Sequence, residues 1–263
     1  MPITFNVQSK SLIEDDRLRP RLATEVMPDW KRDIPGQVEK ELQKGNTVRT
    51  CPAIHDYLHL GYVIPLWTDV VVERVSLGAN RQAVRDPKGK MISWRTAHAA
   101  FPLEQHGRDQ VEGVEMLEPP DGLPLVVKPI CPWLVETPPG WSILVLPLSM
   151  HEEKNKLPLI PIPGVINTDH WHQIHTPCRW ERADPVIQLK AGTPFMHIIP
   201  FRRTESLKAE FKVIEEQARL ANLAGVLSDF SGGYRRQQKN SEKVHGVGTV
   251  SYTHLTLPTI YSV

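Results

Sequence analysis

This chain is short of the residues that covalent and membrane chemistry depend on. It has three cysteines, Cys51, Cys131 and Cys178, an odd number without CxxC spacing. That excludes a disulfide framework or a zinc ribbon and fits a reducing, cytoplasmic setting. It lacks an excess of either charge, with 31 basic against 30 acidic residues. Obligate binding of the whole body to nucleic acid or to a membrane surface is thereby disfavoured. It also lacks long apolar runs: the opening MPITFNVQSK has no signal-peptide core, and no stretch approaches membrane-spanning length. Proline, by contrast, is abundant, at 24 of 263 residues. Proline breaks helix interiors and central strands, so this density points to a loop-rich β protein rather than a helical bundle. At this length one medium domain with extensions is expected, burying roughly 70–75% of its unfolded surface without a covalent staple.

The strongest pattern lies in residues 157–202. Val186–Lys190 and Thr193–Phe201 are two runs rich in β-branched and aromatic residues, separated by Ala191–Gly192. A glycine there suits a tight turn with positive φ, so the pair predicts a hairpin. In the second run Phe195, His197 and Ile199 share one face and Met196, Ile198 and Pro200 the other. A strand apolar on both faces belongs inside a barrel or between sheets. A second hairpin is predicted around Thr137–Gly140, with Trp133–Glu136 leading in and Trp141–Leu146 leading out. Trp133 and Trp141 either cover the sheet's end or stack on a base or sugar.

Gly164–His172 predicts a turn feeding a strand, with Asn167 and Asp169 bonding nearby backbone amides. On an extended chain His170 and His172, two apart, point the same way. With His197 or Asp169 as a third ligand they would make a site for a divalent metal, as in a cupin-like enzyme that uses His170, His172 and His197. The glutamate that cupins place soon after such a pair has no counterpart between Gln173 and Trp180.

GVINTDHW, followed some twenty residues later by IQLKAGTPFMHIIPF, resembles the closing half of the trimeric dUTPase and dCTP-deaminase (β-clip) family. In that family an aspartate of the first motif activates water and an aromatic residue stacks on the deoxyribose. The matching positions are Asn167 and His170, and an amide cannot serve as a general base. The resemblance therefore implies a nucleotide-binding protein, with Asn167, Asp169, His170 and Trp171 as ligand-binding candidates, and not a hydrolase. Over most of the chain, TCPAIHDYLHLGYVIPLWTDVVVE, PWLVETPPGWSILVLPL, GVINTDHW and KAGTPFMHIIPFRR are together similar to a family of uncharacterised proteins from tailed phages and metagenomes. That resemblance implies provenance and architecture, with a host-cytoplasmic location.

The expected fold is mainly β, a compact β-barrel or β-clip-like core over residues 46–203. It is preceded by a polar N-terminal arm, 1–45, pinned by Trp30. One short helix begins near Thr50 as cap, with Pro52 in its first turn and Gly61 at its end. A C-terminal helix over Thr204–Asn222 carries Leu207, Phe211, Ile214, Ala218 and Ala221 at helical spacing. A basic polar stretch, Gly232–Asn240, follows and could touch phosphates. Residues 249–263 resemble a translated sequencing adapter and are left out of fold reasoning. No complete catalytic set is present, so a non-catalytic module that binds a partner or forms a homo-oligomer is the leading expectation. Nucleotide binding and metal-dependent catalysis are its alternatives.

Overall fold

A computed structural model of the 263-residue chain describes residues 2–40, 43–76, 82–92, 103–105, 126–150, 157–180, 186–203, 209–211, 213 and 240. Two compact units are distinguished. The first comprises Met1–Asp33 and Leu58–Leu207, the second Ile34–Tyr57 and Lys208–Val263. The described strands run in chain order as β1 (Thr4–Asn6), β2 (Arg21–Leu22), β3 (Gln37–Lys40), β4 (Gln43–Asn46), β5 (Tyr62–Pro65) and β6 (Val70–Ser76). Then follow β7 (Gln82–Arg85), β8 (Met91–Ile92), β9 (Leu103–Gln105), β10 (Val126–Pro129), β11 (Leu134–Glu136) and β12 (Trp141–Pro147). The last are β13 (Leu159–Pro161), β14 (Gly164–Ile166), β15 (Cys178–Trp180), β16 (Val186–Leu189) and β17 (Pro194–Arg202). Short helices are α1 (Lys10–Glu14), α2 (Asp29–Asp33) and α3 (Pro52–Leu58). The protein is mainly β, as its proline content and strand patterns imply.

In the second unit β3 and β4 form an antiparallel hairpin. In the first unit the strands form four sheets: β14-β12-β17-β5-β2, β16-β6-β7-β8, β13-β15-β10-β9 and β1-β11. Among the described residues the largest sheet ends at β14 and β2 and does not close into a barrel. At its centre β17 pairs with β12 over Trp141↔Arg202 to Pro147↔Met196, and with β5 over Pro194↔Pro65 to Ile198↔Tyr62. Phe195, Met196, His197 and Ile198 are all buried. The two-sided apolar pattern of this run thus marks a central strand.

Both predicted hairpins prove to be corners. β16 pairs with β6, not with β17. β11 pairs with β1, while β12 joins β14 and β17. The reason is that β17 already has a neighbour on each edge, which leaves no ladder for β16. Between β11 and β12 the chain does turn, Trp141 N donating to Pro138 O at 3.1 Å with Gly140 at φ +80°, but β12 already has β14 and β17 on its two edges, which leaves no ladder for β11. Gly192 does take the expected positive φ, +85°. Its N–H donates to Leu66 O at 2.7 Å, and Leu66 N donates to Thr193 O at 2.8 Å. The β5–β6 and β16–β17 bends therefore face each other, and one antiparallel ribbon passes from the β17–β5 pair to the β16–β6 pair. Asp69 fastens the bend by accepting from Ala191 N at 2.8 Å and Lys190 Nζ at 3.1 Å. It is a turn carboxylate on the surface.

The N-terminal residues are less loose than their polarity suggests. β1 and β2 add strands to two sheets, Phe5 packs on the main core, and Ala23 and Val26 are buried with Val63 and Leu148. Trp30 is an anchor, donating from its indole to Met150 O at 2.5 Å. α3 starts at Pro52 as expected. Thr50 does not cap it, because its hydroxyl donates to Thr47 O at 3.0 Å and Cys51 O accepts the helical bond of His55 N. Of the helix expected over Thr204–Asn222, only 209–211 and 213 are described; they are not helical, and Phe211 is exposed. The stretch 232–239 and residues 249–263 lie outside the described residues. Among the described residues no helix is long and apolar enough to cross a membrane.

Two outcomes test this packing. Gly61 and Gly89 both have positive φ, +73° and +84°, but a Cβ on Gly61 would strike the Ile198 carbonyl oxygen, whereas one on Gly89 meets nothing within 4 Å. Gly89→Ala should carry only the backbone strain, about 1 kcal/mol. Gly61→Ala should cost roughly 3 kcal/mol or more in urea unfolding, since β17 cannot yield without breaking its ladder. Equal costs would contradict the close approach of Gly61 to β17. Burial pushes the Cys131 thiol up to about 12 and the Cys178 thiol well above its ordinary value, while Cys51 is half-buried. Titration with a disulfide reagent should find one fast thiol in the native protein and three in denaturant; two fast native thiols would refute the core assignment.

Candidate functional site

Sequence order at the candidate site is reversed in the structure. β14 comes first and feeds a turn, in which His170 N donates to Asn167 O at 3.1 Å and Trp171 N to the same oxygen at 2.9 Å. Residues 167–171 are thus coiled, not extended, and the two-residue spacing of His170 and His172 no longer aligns their rings. β14 has only three paired positions, Ile143↔Ile166, Leu144↔Val165 and Val145↔Gly164, and Asn167 follows directly after it.

The turn is held by long-range bonds. Ser142, fully buried on β12, donates its hydroxyl to Asn167 Oδ1 at 2.8 Å. Asp169, whose side chain is 3% exposed, accepts from Gly140 N at 2.9 Å. Arg203, just past β17, is the hub. It donates from Nη1 to Ser142 Oγ at 2.8 Å, Asp169 Oδ1 at 2.9 Å and Trp141 O at 3.0 Å, and from Nη2 to Asp169 Oδ2. Its backbone N–H also donates to Gly140 O at 2.8 Å. The neighbouring pair Thr137 and Thr168 shares a hydroxyl bond of 2.7 Å. The expectation that Asn167 and Asp169 serve local amides is therefore corrected: their partners come from the β11–β12 corner, β12 itself and the end of β17.

Electrostatics follow from this arrangement. Arg203 beside Asp169, with the Gly140 amide, holds the Asp169 carboxyl far below the usual carboxylate range, despite the opposing effect of burial. The carboxylate in turn raises Arg203. A fork of two guanidinium nitrogens on two carboxylate oxygens is the strong form of such a pair. Asp169 is consequently a fixed anion with its oxygens occupied, and not an acceptor for a substrate proton.

The histidines are dispersed. His170 projects into solvent, 73% exposed, with Nε2 at 3.5 Å from Asp169 Oδ1. His172 is half-buried, its Nδ1–H placed between Thr168 O at 3.0 Å and Val135 O at 3.2 Å. His197 is fully buried on β17 and donates from Nε2 to Leu60 O. It lies opposite Leu146, four residues along β12 from Ser142, or roughly 13 Å at the strand rise. Among the described residues no group of three His, Cys, Asp or Glu is placed to hold a metal ion. The structure brings Asn167, Asp169, His170 and Trp171 together but does not bring His197 to them. Trp133 belongs to the core, at 2% exposure, while Trp141 is half-buried at the corner.

Arg203 and Ser142 are the residues sequence reasoning missed. Arg203 is the last residue of the run PFMHIIPFRR, where a charged pair reads as the end of a strand. Ser142 reads as a polar interruption in an apolar strand, and only the register reveals its partner. The outer face of the five-stranded sheet continues from these two. Leu144 lies opposite Val165 and Ile199, and Ser142 opposite Phe201. Val165 is 58% and Trp171 62% exposed, so the rigid turn borders an apolar row.

Compared with known proteins, the chain matches no family model and no curated protein.

Ser142→Ala should cost about 1–3 kcal/mol in chemical unfolding, because it removes the buried hydroxyl that bonds Asn167 and leaves part of the Arg203 guanidinium without its acceptor. His170→Ala should stay within about 0.5 kcal/mol. The two values falling together would show that the network does not form. The acid response of Asp169 has a definite sign. Its folded pKa lies below the ordinary 3.8, so its contribution is complete above that pH and is lost as pH falls toward the folded value. The melting-temperature gap between the wild type and Asp169→Asn should be constant from pH 7 to about pH 5 and shrink below about pH 4. A gap that widens in acid would contradict the pairing.

Proposed function

We propose that the protein is a non-catalytic β module that acts by binding, self-association through the outer face of its five-stranded sheet being the first reading. The single observation that carries it is the saturation of Asp169. Among the described residues of the candidate site the one carboxylate, Asp169, is buried, doubly bonded to Arg203 and held ionised. A group in that state neither takes nor gives a proton, and Asn167 has no basicity to replace it. What the network supplies is rigidity: it fixes a turn that displays Trp171, His170 and Asn167 beside the apolar row of Val165, Leu144, Ile199 and Phe201. Exposed aromatic residues held on a stiff support are the usual anchors of protein interfaces. A cytoplasmic, phage-type setting is consistent with the reduced cysteines and remains part of the proposal.

Nucleotide binding is the second reading, favoured by one feature. Trp171 offers an exposed ring beside Asn167, whose Oδ1 is engaged by Ser142. A base could stack on that ring with the amide nitrogen as donor.

Sedimentation velocity of the full chain over a hundredfold concentration range separates the two. Self-association predicts a species larger than the monomer, and Val165→Lys with Trp171→Ala should return it to monomer without lowering the melting temperature by more than a few degrees. A monomer at all concentrations, with a clear thermal shift from dUTP or dCTP that Trp171→Ala abolishes, would replace self-association by the nucleotide reading.

A further inference from the structure

We draw no further inference here: the strongest candidate, the half-exposed apolar row of Val165, Leu144, Ile199 and Phe201 on the outer face of the five-stranded sheet, belongs to the surface already described, and nothing in the structure shows what covers it.

Discussion

The constraint on which this structure rests is that β17 must be covered on every side. Four consecutive residues, Phe195 to Ile198, are buried, so the strand needs a neighbour on each edge and packing on both faces. β12 and β5 supply the edges. On its core side the sheet shares the main hydrophobic cluster with residues of the other sheets, such as Val72, Val127 and Ile187. On the other side Ala23 and Val26 close over Val63, next to the buried His197. Burying the imidazole of His197 is tolerable because Leu60 O accepts its Nε2–H. Most of the other departures from simple strand pairing follow from this demand. β16 is excluded from the sheet, and Gly61 is required where the backbone passes close to Ile198.

The sequence made strand content legible and left strand partnership hidden. Period-two patterns depend on each residue's own side chain, so β12, β16 and β17 could be placed within a residue or two. Which strands pair is decided by edges and registers, and those are properties of the assembled sheet. The Thr137–Gly140 and Ala191–Gly192 breaks both look like hairpin turns, since glycine and proline report only that the chain bends. The histidine pair failed for a related reason. Two residues of spacing aligns side chains on a strand, but Asn167 O collects amides from His170 and Trp171 and coils that segment. Conversely, the clustering of Asn167, Asp169, His170 and Trp171 was legible because it needs only proximity in sequence.

Arg203 shows what kind of residue escapes such a reading. Nothing near it in sequence explains a guanidinium there. Its partners, Trp141, Ser142 and Asp169, lie 62, 61 and 34 residues away. Together they convert the rim of a sheet into a stiff polar corner, with every oxygen of Asp169 occupied. The same density of bonds that makes the corner rigid removes it from proton-transfer chemistry. Rigidity and reactivity compete here for one carboxylate, and rigidity prevails.

The central position of β17 also governs how the chain can assemble during synthesis. β2 and β5 leave the ribosome early and β12 much later, but the strand that joins them ends only at Arg202. Until then two half-sheets wait with open edges and uncovered apolar faces, since closing such sequence-distant pairs is slow. Nascent chains interrupted before residue 194 should accordingly be sticky and dependent on chaperones, and those released past residue 203 should escape that dependence.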